Sequence, residues 1–114
     1  EAYAAGELKH GTISLIEDGT LVIGVLTQSH LCEKTLSNMQ EVKSRGAYLM
    51  GVAENGSYYL EDMVDFVVYV PKTDPHFTTT LAIIPLQLMG YYVSVARRLD
   101  VDKPRNLAKS VTVE

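Results

Sequence analysis

At 114 residues the chain is long enough for one small domain, which would bury roughly two thirds of the surface its unfolded form exposes. Hydrophobic residues make up 46% and charged residues 21%, ordinary proportions for a globular protein. The 14 acidic residues against 10 basic ones leave a formal charge of −4, which gives no support to a nucleic-acid partner, and no apolar run is expected to approach the ~20 residues that cross a bilayer.

The chain opens on EAYAAGELKH, without an initiator Met or the charged-then-apolar layout of a signal peptide. Ala4, Ala5 and Leu8 stand at helical spacing, with Glu1, Glu7 and Lys9 on other faces. This predicts a helix over residues 1–9, stopped at Gly11, and the segment reads as the middle of a helix, as expected of a fragment truncated on its N-terminal side. Thr12–Ile16 is a helical turn or a loop, and Glu17-Asp18-Gly19 is turn chemistry.

Leu21–Leu26 is an apolar run broken only by Gly24, as expected of a strand covered on both faces. Ser29 is placed to cap a following helix through its hydroxyl. In that helix Leu31, Thr35, Met39 and Val42 recur at four, four and three residues and predict a single buried stripe. Lys43 and Arg45 suit its last turn, and Gly46 ends it. The single cysteine, Cys32, cannot form an internal disulfide, so a reducing cytoplasm and an inert packing or surface role are expected. Ala47–Ala53 and Phe66–Val70 are two further apolar runs. Strand, helix and strand joined by short turns make a βαβ unit, and such units build parallel sheets.

Pro71 opens a polar loop that contains Pro75. Leu81–Leu99 then reads as a long helix, apolar on nearly every side, with Pro85 in its first turn or kinking it. A helix of this kind needs more than one covering layer, which predicts a subunit or domain interface. The remainder, DVDKPRNLAKSVTVE over residues 100–114, has no helical stripe, and its composition suits either a free terminus or a docked one.

Three stretches carry a resemblance. AYAAGELKHG at 2–11, PLQLMGYYVSVARRLDVD at 85–102 and DVDKPRNLAKSVTVE at 100–114 resemble the isomerase domain of the glucosamine-6-phosphate synthase family. The tail is the most specific part, and the likeness covers the whole chain. Thr12 departs from the family, which usually has Pro after the His-Gly pair. The resemblance implies an α/β fold of the sugar isomerase (SIS) type, a three-layer parallel-sheet sandwich. Residues 1–99 would be an N-terminally truncated second SIS subdomain and residues 100–114 an active-site tail. A glutaminase domain and a first SIS subdomain would lie elsewhere in the full-length polypeptide.

What the family does would then follow: fructose 6-phosphate and glutamine become glucosamine 6-phosphate and glutamate, with no metal and no pyridoxal phosphate. Lys109 matches the family lysine that forms a Schiff base with the open-chain sugar. A free lysine titrates near 10.4, so only about one in a thousand is neutral at physiological pH, and the role demands burial or a cationic neighbour. His10 matches the histidine credited with opening the furanose ring, and is expected to reach the active site of a neighbouring subunit of a homodimer. Imidazole can take and return a proton near neutral pH. Ala108 would offer its main chain to the sugar. His30 and His76 match no family site and read as surface residues.

The glutamate base expected of the isomerisation would precede Glu1, and the Ser/Thr-rich phosphate loop would belong to the other subdomain. Gly19, Gly24 and Gly46 are turn, strand and cap residues that form no phosphate cradle, and no cluster has metal-ligand spacing. The isolated chain is therefore expected to be inactive. The alternative reading is a non-catalytic SIS module that binds a sugar phosphate and regulates a partner, and a third is a related amine-forming or amine-removing sugar isomerase. The lysine motif in the tail argues against both.

Overall fold

The three apolar runs become three strands, β1 (Leu21–Leu26), β2 (Tyr48–Glu54) and β3 (Phe66–Val70), all parallel and in that spatial order. The computed structural model describes residues 1–103. These fall into two compact units that divide between Ala82 and Ile83.

In the first unit β2 is central, and five consecutive residues from Leu49 to Ala53 are buried. Register pairs Val22 with Leu49, Gly24 with Gly51 and Leu26 with Ala53, so these residues share one face. Across that face lies α1 (Ser29–Lys43), and the core between them holds Leu26, Cys32, Leu36, Met39, Val42, Leu49 and Ala53. The α/β parallel arrangement is the one hydropathy predicts.

Several local expectations are corrected. The stripe of α1 is Cys32, Leu36, Met39 and Val42; Leu31 is 42% exposed and Thr35 only half-buried. The sheet-facing side lies one residue further round the helix than the four-residue spacing from Leu31 suggested. Ser29 is the first helical residue rather than the cap, and Gln28 precedes it without a side-chain cap bond. On the second sheet face, Leu21 and Val25 are 47% and 46% exposed, so β1, an edge strand by its place in the sheet, is covered fully on one face only.

The end of α1 is as expected in kind. Gly46 N–H bonds the Lys43 carbonyl and Ala47 N–H the Val42 carbonyl, while Gly46 sits at φ 91°. That pair of bonds closes the helix with buried Ala47 against buried Val42.

The long helix, α2 (Pro75–Ala96), starts six residues before the expected Leu81. The missed signal is Asp74-Pro75. The Asp74 carboxylate accepts the His76 N–H at 2.9 Å and its carbonyl accepts the Phe77 N–H at 2.9 Å, while proline fits the first helical position because no partner exists there for an N–H. Pro85 therefore lies mid-helix, not in the first turn. Within the first unit, Thr78 and Ala82 are buried, and the Thr78 hydroxyl donates to the Glu54 carboxylate at 3.2 Å.

In the second unit, Ile83, Ile84, Leu88, Tyr91, Tyr92, Val93 and Val95 of α2 are between 44% and 63% exposed. By length and composition α2 is apolar enough to cross a membrane, which corrects the expectation that no segment approaches that size. His76, three threonines, Gln87 and Ser94 interrupt its apolar residues without breaking the helix. It closes with Arg98 N–H on the Val95 carbonyl and Leu99 N–H on the Ser94 carbonyl, Arg98 taking φ 56°.

Candidate functional site

His10 is placed by a short and shallowly rooted segment. The helix predicted over 1–9 is a 3₁₀ helix over Ala5–His10, with no buried residue in it. Only Leu8 leans on the core, as a partly buried side chain. With so little apolar surface to bury and Gly6 inside it, the segment lacks what would sustain a full α-helix. Gly11 follows at φ 140°, and the next turn, Thr12–Leu15, places Ile13 in the core.

Two polar contacts add to this anchorage. Lys9 Nζ lies 2.6 Å from Glu41 Oε2 on α1. The Thr12 hydroxyl donates to the Leu8 carbonyl at 3.1 Å, so the residue standing where the family usually has Pro stitches the same turn from its side chain. His10 itself is exposed.

Ala108 and Lys109 lie outside the described residues. His30 is exposed in the first turn of α1, and His76 is exposed with its ring nitrogen Nδ1 2.6 Å from the Asp74 carboxylate. The His76 backbone N–H, with the ring, holds Asp74 below the usual carboxylate range. Both histidines have the surface settings expected. Cys32 is buried, its sulfur 3.4 Å from the Tyr59 hydroxyl, and the thiol and burial together push the Tyr59 phenol up. This is the packing role.

Among the described residues, no group of three or more His, Cys, Asp or Glu could hold a metal ion. A shallow hollow is lined by Glu61, Val64, Asp65, Phe66 and Val67. Its carboxylates are already engaged. Asp65 accepts the Leu49 N–H at 2.7 Å and pairs with Lys43 at 3.2 Å, and Glu61 accepts the Tyr69 hydroxyl at 2.8 Å. The Leu49 N–H in first place, then Lys43, holds Asp65 below the usual carboxylate range against the opposing effect of desolvation. Burial and the Glu61 bond push the Tyr69 phenol to about 12. Such groups hold structure together; none is poised for acid–base work near neutral pH.

The profile of the SIS domain matches residues 1–97, the sheet and both long helices included. The chain belongs to the SIS domain family. Within that family, it is 57% identical over 114 residues to the glutamine–fructose-6-phosphate aminotransferase (isomerizing) of Caldanaerobacter subterraneus, a match covering 100% of this chain and 19% of the relative. The enzyme of the same name from Clostridium tetani is equally similar, at 57% over the same shares. That of Methanosarcina acetivorans is 49% identical over 114 residues, 18% of its length. Among solved structures, the C-terminal domain of glucosamine-fructose-6-phosphate aminotransferase from Francisella tularensis superposes with a TM-score of 0.77 at 32% identity, covering 89% of this chain and 29% of that one.

The SIS fold and the resemblance read from the three sequence stretches are thus borne out. The chain spans about a fifth of the length of the curated relatives it matches. Membership also sets α2 within the SIS match, as a helix of that domain.

Proposed function

We propose that this chain is the C-terminal part of the isomerase domain of a glutamine–fructose-6-phosphate aminotransferase, contributing to conversion of fructose 6-phosphate and glutamine into glucosamine 6-phosphate and glutamate. The observation that carries this reading is identity of 57% over all 114 residues, tail included, to relatives of that name. Residues 1–99 act as an SIS subdomain and residues 100–114 as the tail that completes the site.

In this reading the Lys109 amine attacks C2 of the open-chain sugar, and water leaves as the imine forms. Ala108 offers main-chain contact to the same sugar. His10 takes a proton from the ring hydroxyl and returns one to the ring oxygen as the furanose opens, a task that suits imidazole. The exposure of His10 supports its working across a contact with a second subunit of a homodimer. The SIS match, which runs through α2, supports reading its half-exposed apolar residues as an interface, in a protein of the cytoplasm, over a membrane span.

Borohydride reduction tests the reading. With fructose 6-phosphate and the full-length protein, a covalent sugar adduct is expected on the peptide containing Lys109, because an imine reduces to a stable amine. Lys109→Arg keeps the charge, loses the nucleophile and abolishes the adduct. An adduct that persists in that variant assigns the imine to another lysine and refutes this role.

A further inference from the structure

The ion pair between Lys9 and Glu41 joins the segment bearing His10 to the helix that packs on the sheet. We propose that Lys9 and Glu41 are a positioning pair that sets the direction in which His10 is presented. The inference rests on the reading of His10 given above and adds residues that carry no role in it.

Three observations converge. First, the Ala5–His10 segment buries none of its residues, and Leu8 is its one apolar side chain packed on the core. A single apolar contact fixes where a segment lies but leaves its rotation about its own axis loosely determined. Second, Lys9 Nζ reaches Glu41 Oε2 at 2.6 Å from the residue next to His10. In a 3₁₀ helix successive side chains point about 120° apart, so fixing Lys9 on α1 turns His10 away from that helix. Third, Glu41 stands on α1 beside Val42, which is 0% exposed, so the core holds the backbone from which the Glu41 carboxylate extends.

Downstream, Gly11 at φ 140° and the Thr12 bond to the Leu8 carbonyl close the turn without touching the imidazole. Both partners of the pair remain well exposed, at 51% and 37% of their side-chain surface. Exposed pairs contribute little to stability. Their effect is therefore expected on the geometry of His10, in turnover, with little change in folding.

The test uses the full-length enzyme and follows formation of glucosamine 6-phosphate. Glu41→Gln and Lys9→Met each lower kcat about three- to fivefold, the size expected from an exposed pair, with KM for fructose 6-phosphate unchanged. The exchanged pair, Lys9→Glu with Glu41→Lys, recovers most of the loss. High salt narrows the gap between wild type and Glu41→Gln, since exposed charges are screened. His10→Asn lowers kcat far more, and adding Glu41→Gln to it costs nothing further. A Glu41→Gln enzyme with full kcat, or one whose deficit is unchanged in the His10→Asn background, overturns the positioning role while leaving His10 in place. Full activity of His10→Asn alone refutes the reading of His10 itself.

Discussion

The thioether of Met39 fills the space that a side chain on Gly24 would need: a Cβ there would stand 2.1 Å from Sδ. Met39 is 3% exposed, so it has little room to withdraw. Gly24→Ala is expected to destabilise the fold by about 1–3 kcal/mol through overpacking. Combined with Met39→Ala, it should cost less than the sum of the two single changes, because the removed side chain makes room for the added methyl. Denaturant midpoints of the four proteins check this, and strict additivity would contradict it.

Gly46 answers to backbone geometry. At φ 91° it lies where an L side chain is strained, and a Cβ would come within 2.9 Å of the Asp18 Cα. Its carbonyl also accepts the Gly19 N–H at 2.7 Å. Gly46→Ala is expected to cost at least about 1–2 kcal/mol from the left-handed conformation, and more because the obstructing atom is backbone. Asn, which tolerates this region better, should be less damaging on the conformational count but meets the same clash. Equal stability of the Ala variant and wild type would refute the account.

Asp65 ties the start of β3 to the start of β2 and the end of α1, through Leu49 N–H and Lys43. Its pKa is lowered on folding, so the ionised form is favoured in the folded state. The stabilisation is complete above the ordinary aspartate value of about 3.9 and is lost as pH falls through the lower folded value. Asp65→Asn should therefore be less stable than wild type at pH 7, with the gap shrinking below about pH 4. Urea unfolding at pH 7 and at pH 3 measures both, and a gap that does not shrink with acid would rule out the carboxylate as its source.

The isolated 114-residue chain is expected to self-associate. Covering four of the half-exposed apolar side chains of α2, among them Ile83, Ile84, Leu88 and Val93, is worth roughly 3–6 kcal/mol. Identical chains most often bury such surface in a two-fold contact. Sedimentation equilibrium over a micromolar series should show mass rising with concentration. A monomer throughout, binding no hydrophobic dye, would show that this surface needs no cover.

Short-range chemistry was legible wherever the residues themselves enforce it. Continuous apolar runs marked β1 and β3 to the residue, Gly46 marked the end of α1, and the βαβ pattern called for parallel strands. The family resemblance came from three stretches that hydropathy alone would leave as a helix start, a helix and a tail. Tertiary structure decided what depends on partners distant in sequence. Which side of α1 is buried was settled by the sheet beneath it, which selects Cys32 and Leu36 over Leu31 and Thr35. Residues 5–10 wind as 3₁₀ because little core lies beneath them, and Leu21 and Val25 stay half-exposed because β1 is an edge. The pairing of Lys9 with Glu41 joins residues far apart in sequence and leaves no mark in local spacing. Helix and strand propensities act over a few residues, whereas burial and ion pairing are properties of surfaces that exist only after the chain has folded.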